Sequence, residues 1–379
     1  MSESRKYDIA IVGGGLAGLA LGIQAAKAGY KTILFEKEKY PFHKVCGEYV
    51  SLESWNFLEE IGLPLSQMGL PMITQLLLTT PTGKESMYKL PLGGFGISRY
   101  KLDNMLATIA RENGVELREE TKVTDVQFEN EMFGVKSSNS DVKAKIVAGT
   151  FGKRSNLDVK WKREFIAEKN SKLNNYIAVK YHVRADWPGD LIALHNFQNG
   201  YCGISQIEEN KFCLCYLTTA KNLESAGKSV EQLEKTILSK NPHLKKIFAS
   251  VEKLYLSPVT ISQISFEKKT LIHDRVLMIG DSAGMITPLC GNGMSMALHA
   301  SKLAFEQIDL FLQSKISREQ MELAYSRNWN KEFAGRLRTG RTVQRFFGHT
   351  LLTNLFLSSL RPFPFLARQL IRQTHGQPF

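Results

Sequence analysis

The chain has 379 residues, of which 43% are hydrophobic and 23% charged, values that are ordinary for a globular protein with a sizeable core. Its five cysteines are an odd number without CxxC spacing. This argues against a disulfide framework or a zinc site, so no metal site is predicted, and it favours a reducing compartment. The first apolar segment begins near residue 7, which leaves no room for a signal peptide, so the cytoplasm is the expected location.

The N-terminal segment has the pattern of a nucleotide-binding βαβ unit. An apolar strand over 7–12 is followed by a glycine-rich turn (GGGLAG), a small-residue helix and a second strand that ends at Glu36. Gly13 permits the tight turn, Gly15 lets backbone N–H groups approach a pyrophosphate, and Gly18 allows close helix packing. An acid at the end of the second strand suits a ribose diol. The segment predicts an adenine dinucleotide site.

The middle of the chain has two different patterns. Its first part predicts an extended excursion over 72–92, a helix over 97–112, a strand over 115–118, and a strand, turn and strand over 121–148. The alternating runs over 174–218 then favour an antiparallel sheet, followed by a helix near 230–239 and a strand near 253–260.

A second ligand-binding pattern lies far downstream. A buried strand from Val276 runs into a Gly-Asp turn, which places the Asp281 carboxylate at the carboxyl edge of a sheet, where it can bind ribityl or ribose hydroxyls. A loop rich in proline and glycine leads into a long helix over 295–312. The loop and the helix N-terminus direct backbone N–H groups at a ligand, as the anionic edge of a reduced isoalloxazine ring requires.

The formal net charge of +12 is concentrated at the C-terminus. Residues 333–379 contain seven arginines and no acidic residue, together with aromatic and aliphatic clusters too short for a membrane span. The pattern predicts a basic amphipathic helical tail, for which two interpretations stay open. Either it contacts an anionic membrane surface or covers a hydrophobic substrate, or it packs on the main body with its arginines solvated. Nucleic acid is not an expected partner, because no binding module is recognisable.

These motifs together resemble the flavoprotein superfamily of aromatic-ring hydroxylases, flavin-dependent halogenases and geranylgeranyl reductases, with group A flavoprotein monooxygenases among its members. The resemblance rests on GGGLAG with Glu36, the helix start SRYKLD at Ser98, and GDSAG followed by Pro288 and GNG. The segment KVCGE over 44–48 is similar to the geranylgeranyl reductase branch. The implied fold is α/β: a discontinuous Rossmann-like FAD-binding domain, as in p-hydroxybenzoate hydroxylase, with an antiparallel-sheet substrate domain and C-terminal helices.

The resemblance also implies a division of the chain and a set of site residues. The FAD-binding domain would comprise 1–72, 93–156 and 265–332, the substrate domain 73–92 and 157–264, and the tail 333–379. The residues that would bind FAD are Gly13, Gly15, Leu16, Ala17, Gly18, Glu36, Lys37, Lys44, Cys46, Gly47, Arg99, Asp281, Pro288, Gly291, Asn292, Gly293 and Met294. For Arg99, a surface salt bridge is the alternative.

Three residues are candidates for catalysis: Cys46, His195 and Tyr201. A free cysteine is also often an inert hydrophobe, and a lone strand histidine is often a packed residue. The substrate pocket is predicted along the central sheet, with His195, Asn196, Tyr201, Cys202, Ser205 and Tyr216 as its candidate lining.

One position departs from the hydroxylase pattern. The strand before the substrate domain ends there in Ala-Asp-Gly, whereas this chain has Phe151 in place of the acid. The usual hydroxylase interaction with NADPH is therefore in doubt. Since no second GxGxxG motif stands in a strand–helix context, NAD(P)H is expected to visit transiently, or another protein delivers the electrons.

Several functions follow from the resemblance. The first is an FAD-dependent monooxygenase that hydroxylates or epoxidises a hydrophobic small molecule through a flavin hydroperoxide. The second is a geranylgeranyl-reductase-like flavoenzyme that saturates an isoprenoid or lipid double bond. A third, of another class, is a membrane- or partner-docked flavoprotein without catalysis. Halogenation is disfavoured, because the tryptophan-rich GWxWxIP-type segment is missing from the sequence.

Overall fold

Two β-sheets with helices packed on them make up the fold. The computed structural model describes residues 5–167, 175–287, 291–346, 365 and 376–379. The strands within these residues are β1 (Lys6–Val12), β2 (Thr32–Phe35), β3 (Tyr49–Ser51), β4 (Met72–Thr79), β5 (Glu85–Gly96), β6 (Glu116–Arg118), β7 (Val123–Glu129), β8 (Met132–Ser137), β9 (Asp141–Gly149), β10 (Tyr176–Arg184), β11 (Leu191–Phe197), β12 (Gly200–Gln206), β13 (Phe212–Thr219), β14 (Glu252–Lys253), β15 (Val259–Ile264), β16 (Ile272–His273) and β17 (Val276–Met278).

The helices pack on both sheets. They are α1 (Leu16–Lys27), α2 (Trp55–Glu60), α3 (Arg99–Glu112), α4 (Asn156–Lys160), α5 (Glu164–Ala167), α6 (Ala220–Ser225), α7 (Val230–Thr236), α8 (Pro242–Ser250), α9 (Gly293–Leu312) and α10 (Arg318–Phe346). Among the described residues, no helix is both long enough and apolar enough to cross a membrane.

The first sheet carries the N-terminal motif. Its strand order is β16-β17-β9-β1-β2-β6, with β7 and β8 attached through β9. Strands β17, β9, β1, β2 and β6 run parallel, so their carboxyl ends meet at one edge. Helix α1 contacts both α3 and α9. It also packs on β1, where a Cβ added at Gly22 would be in ordinary van der Waals contact with the Ile11 side chain, at 3.5 Å.

The second sheet has the order β14-β10-β13-β12-β11-β4-β5-β3, with β15 on β10. Neighbours are antiparallel except β4 and β11, which run parallel. Successive side chains of a strand point to opposite faces of the sheet, and both faces of this sheet are buried. One face, including Val179 and Tyr216, forms a cluster with α7 and α8. The other, including Ala178, Tyr201 and Leu217, forms a cluster with Tyr49 and Phe266. We call the second one the inner face.

The structure confirms the α/β class and corrects some element boundaries. The single strand expected near 253–260 is two short strands, β14 and β15, because Pro258 between them lacks the N–H that a ladder needs. The region 121–148 holds three strands, β7, β8 and β9, rather than two. The helix expected over 230–239 ends at Thr236, and a 3₁₀ turn, Leu238–Lys240, follows it.

The predicted division into domains stays a prediction. Strand β3 lies in the first predicted FAD-binding segment and pairs with β5 of the second sheet. Helix α10 runs through the predicted tail boundary at 333, and Phe333 and Leu337 are buried in the core of the first sheet. This packing agrees with the second interpretation of the tail for its first residues. Residues 347–364 and 366–375 lie outside the described residues.

Candidate active site

The glycine turn joins β1 to α1 at the carboxyl edge of the first sheet. Gly13 has a φ of +109°, and a Cβ there would lie 2.6 Å from the Thr150 carbonyl oxygen. At Gly18, a Cβ would lie 2.1 Å from the Gly13 oxygen, so a side chain would force α1 away from the sheet. No side chain caps α1 at Gly15, which leaves the N–H groups of its first turn, at Leu16 and Ala17, for an anion.

The acid at the end of β2 is held beside this turn. Glu36 is 6% exposed, and its carboxylate accepts hydrogen bonds from the backbone N of Gly14 at 2.8 Å and of Glu38 at 3.1 Å. The Tyr40 hydroxyl donates to the Gly14 oxygen from the other side. The remaining lone pairs of Glu36 are suited to a ribose diol. Lys37 lies on the surface instead, with its side chain 68% exposed.

Two cations converge on one buried acid beside the glycine turn. Arg99 donates two hydrogen bonds to Asp103, at 2.6 and 2.7 Å, and Lys44 Nζ lies 2.9 Å from the same carboxylate. Lys44 Nζ also reaches the Gly14 oxygen at 3.3 Å. Burial raises the pKa of Asp103, but the two cations outweigh it and hold the pKa below its usual value. The cluster thus has one surplus positive charge, which suits a diphosphate.

The placement of Arg99 distinguishes between its two interpretations. Its side chain is 13% exposed, and its partner Asp103 is 1% exposed, so the pair is not a surface salt bridge. A Cβ added at Gly15 would lie 4.0 Å from Arg99 Nη2, which puts the guanidinium at the mouth of the glycine turn.

The Gly-Asp turn meets α1 at the same sheet edge. Gly280 has a φ of +70°, and a Cβ there would lie 3.1 Å from Ala17. Lys269 Nζ donates to the Asp281 carbonyl oxygen at 2.7 Å and to the Lys153 oxygen at 2.8 Å, which ties the turn to the loop after β9. Burial lowers the pKa of Lys269 to about 8. The half-buried Asp281 therefore stands next to the glycine turn.

The loop before α9 lies at the boundary between the two sheets. Gly291 has a φ of +63°, and a Cβ there would lie 3.3 Å from the Tyr49 ring. Helix α9 begins at Gly293 after Asn292, and no side chain caps its N-terminus. Met294 is buried just inside the helix. The prediction for Pro288 lies outside the described residues. The first turn of α9 thus directs its N–H groups toward this boundary.

The segment 44–48 connects the glycine turn to the second sheet. The carbonyl oxygen of Cys46 accepts a hydrogen bond from Cys213 Sγ at 3.2 Å, and that of Gly47 accepts one from Ser205 Oγ at 3.3 Å. Cys46 itself is half-buried. Burial raises the pKa of the Cys213 thiol well above its usual value, so this thiol is neutral and serves packing.

The two remaining catalytic candidates lie on opposite faces of the second sheet. Tyr201 is 5% exposed on the inner face. His195 is fully buried, hydrogen-bonds through Nδ1 to Thr79 Oγ1 at 3.0 Å, and stacks on His243 of α8. Burial lowers the pKa of His195 to about 3, which keeps the ring neutral. The structure does not bring His195 together with the other candidates.

Alternation explains this separation. Asn196, Tyr201 and Ser205 fall on the inner face, whereas Cys202 and Tyr216 fall with His195 on the face that packs on the helices. Phe151, at the position of the family's acid, packs toward Trp161 at a ring distance of 6.1 Å.

Three residues of this site were not among the predicted site residues. Asp103 follows Arg99 by four residues on one helix, a spacing that predicts an ion pair and could have identified it. Tyr40 and Lys269 reach the turns from distant segments, so no local sequence pattern predicts their contacts.

The site fits an adenine dinucleotide. Free N–H groups at the start of α1, two cations, the Glu36 carboxylate and the Gly-Asp turn meet at one sheet edge. Fold and site together define a dinucleotide-binding protein with a second sheet over its cofactor edge. Residues 6–325 match the family model described as the FAD binding domain, and the chain belongs to this family of FAD-dependent oxidoreductases.

Several known proteins are similar to the chain in sequence or in fold. The chain is 23% identical over 368 residues to conditioned medium factor receptor 1 of Dictyostelium discoideum, covering 90% of this chain and 70% of that protein. It is 24% identical over 340 residues to a digeranylgeranylglycerophospholipid reductase of Methanococcus vannielii, covering 86% and 83%. The structure of the flavin-dependent brominase Bmp2 superposes with a TM-score of 0.79 at 21% identity, covering 97% and 93%.

Proposed function

We propose that the chain is an FAD-dependent monooxygenase that acts on a hydrophobic small molecule bound between the two sheets. The inner face of the second sheet carries this proposal. Its buried aromatic and aliphatic side chains cluster with Phe266 and with Val45 of segment 44–48, and they are Tyr49, Tyr176, Leu194, Tyr201 and Leu217. Such a surface favours a substrate with a large apolar area.

The described residues have separate parts in holding FAD. The first turn of α1, with Arg99 and Lys44, would bind the diphosphate, and Glu36 would bind the adenosine ribose. Asp281 would bind the ribityl chain, and the first turn of α9 would face the pyrimidine edge of the ring. Bound FAD supplies the redox chemistry, by reaction with dioxygen or by hydride transfer. The protein positions the substrate and excludes water from the apolar boundary.

The electron donor belongs to the same proposal. NAD(P)H would bind transiently, because the sequence has no second GxGxxG motif in a strand–helix context. Phe151 in place of an acid removes one negative charge beside the phosphate site, and Lys153 and the exposed Arg154 follow it. These two cations would favour the phosphates of a visiting nucleotide.

A second candidate is the saturation of a double bond in an isoprenoid or lipid. The placement of the KVCGE segment favours it, since this segment lies between the glycine turn and the inner face, where a hydride acceptor would meet the flavin. The reductase from Methanococcus vannielii is a relative over most of the chain.

One experiment separates the two candidates. The FAD-loaded protein is reduced without oxygen and mixed with long-chain phenols and with isoprenoid alcohols, either under isotope-labelled dioxygen or anaerobically in deuterated water. A product that gains one labelled oxygen atom supports the monooxygenase. A product that gains two hydrogen atoms at the double bond, carrying deuterium from the solvent, supports the reductase. A protein that binds no FAD would overturn both.

A further inference from the structure

The last residue of segment 44–48, Glu48, is a second buried acid. Glu48 is 0% exposed, and one carboxylate oxygen accepts a hydrogen bond from Lys180 Nζ at 2.7 Å. The other oxygen lies 2.6 Å from His182 Nε2. Lys180 and His182 project from β10 on the inner face, since their neighbours Val179 and Tyr181 belong to the opposite cluster.

The contacts of this cluster continue from His182 toward the surface. The Tyr255 hydroxyl lies 2.5 Å from His182 Nδ1. Tyr255 is half-buried, and the next residue, Leu256, is fully exposed. His43 packs against both the Tyr255 ring, at 4.7 Å, and the exposed Tyr100, at 4.6 Å. The contacts therefore run from solvent to a fully buried ammonium group.

The hydrogen bonds of this cluster converge on Glu48, because Lys180 Nζ donates to one of its oxygens. An ionised Glu48 only accepts, so His182 Nε2 donates to the other oxygen, which leaves Nδ1 to accept from the Tyr255 hydroxyl. Burial raises the pKa of Glu48, but Lys180 and His182 outweigh it and lower the pKa to about 2. The contacts are continuous, so a proton that Lys180 gives up at the inner end can be replaced through Glu48 from His182 and Tyr255.

Lys180, the innermost residue of these contacts, lies at the predicted flavin boundary. Lys180 is paired in register with Cys215, and His182 with Cys213, whose thiol donates to the Cys46 oxygen. Glu48 also accepts a hydrogen bond at 2.8 Å from the backbone N of Arg99, whose side chain faces the glycine turn. Glu48 has a φ of +57°, which is unfavourable for a residue with a side chain and is retained here by these contacts.

We propose that Tyr255, His182, Glu48 and Lys180 form a proton relay from the surface to the reaction site. The inference rests on the proposed function and deepens it. Oxygenation converts anionic reduced FAD, dioxygen, the substrate and one proton into oxidised FAD, the hydroxylated substrate and water. Saturation of a double bond converts reduced FAD, the alkene and one proton into oxidised FAD and the alkane. Both reactions take up one proton, and the relay supplies it.

Several titratable or charged groups lie around His182. The titratable and charged groups that face it from the packed elements are Glu48, Lys180, Cys213, His43 and Tyr255, with Tyr100 and Glu208 beyond Tyr255. Burial lowers the pKa of His43 to about 4, so its ring is neutral near pH 7 and adds no charge to the relay.

The test uses dioxygen alone as the oxidant of the reduced, FAD-loaded protein. This reaction converts reduced FAD, dioxygen and one proton into oxidised FAD and hydrogen peroxide, and flavin absorbance reports its rate. Tyr255→Phe and His182→Gln are expected to slow it by roughly 100-fold or more, the scale of a positioned proton donor. In both variants the rate should fall as pH rises, because protons then come from bulk water, and the solvent deuterium isotope effect should change.

Tyr181→Phe is the matched control, because Tyr181 lies on the opposite face of β10 and its hydroxyl donates to Glu234 at 2.7 Å. It should leave rate, pH profile and isotope effect unchanged. If Tyr255→Phe and His182→Gln bind FAD and also match the wild type in all three readouts, the cluster has only a structural role and the proton relay is overturned. A wild-type protein that retains no FAD would overturn the proposed function itself, so the two failures are distinct.

Discussion

Two buried carboxylates, Asp103 and Glu48, each lie between two basic side chains but differ in the contacts around them. Asp103 lies between Arg99 and Lys44, two permanent cations, and so leaves one positive charge at the glycine turn. Glu48 lies between Lys180 and His182, and His182 continues through Nδ1 to the Tyr255 hydroxyl. Since surplus positive charge suits a bound diphosphate and a continuous line of hydrogen bonds suits proton movement, the difference supports cofactor binding by the first cluster and proton transfer by the second.

The largest expected effect comes from removal of the second carboxylate. Glu48→Ala leaves the Lys180 ammonium buried and unpaired, which should lower the free energy of unfolding by about 3–5 kcal/mol. Urea unfolding measures this change. Glu252→Ala, at an exposed acid on the neighbouring strand β14, is the control and should change it by less than about 0.5 kcal/mol. A similarly small change for Glu48→Ala would mean that the Lys180–Glu48 pair does not stabilise the fold.

The stability of the protein at acid pH tests the environment of Glu48 further. The pKa of Glu48 is lowered from 4.5 to about 2 in the folded protein, so its contribution is present above pH 4.5 and is lost as pH falls toward 2. At about 1.4 kcal/mol for each unit, the contribution is about 3 kcal/mol. Unfolding free energies measured across this range should fall more steeply in wild type than in Glu48→Gln. Parallel curves for the two proteins would contradict the lowered pKa.

The smallest expected effect concerns the first carboxylate cluster. Arg99→Gln removes a guanidinium from the mouth of the glycine turn, and the loss of charge-assisted hydrogen bonds to a diphosphate should weaken FAD binding by roughly 10- to 100-fold. Fluorescence titration of the apoprotein with FAD measures this change. Arg111→Gln, at an exposed arginine of the same helix, should bind FAD as the wild type does. Equal weakening by both variants would argue against a specific role for Arg99.

The two clusters also differ in how far the sequence predicts them. The parts of the cofactor site that are contiguous in sequence, the glycine turn with Gly13 and Gly18 and the acid Glu36, follow from spacing alone, because a βαβ unit brings them together locally. The partners of Glu48 are 132 and 134 residues away, and only the pairing of β10 brings them close. The side of the sheet on which His195 lies likewise depends on which face meets the helices, which alternation alone leaves open.

The hydrogen bonds of segment 44–48 bear on whether the two halves of the molecule are separable modules. The segment follows β2 of the first sheet, yet its backbone carbonyls and Glu48 are held by side chains of β10, β12 and β13. Without those strands, Glu48 would lose the partners that hold its left-handed backbone, and Lys44 would lose its fixed approach to the glycine turn. The N-terminal segment of the first sheet should therefore not keep its cofactor-binding geometry without the second sheet, so the two sheets are not separable modules.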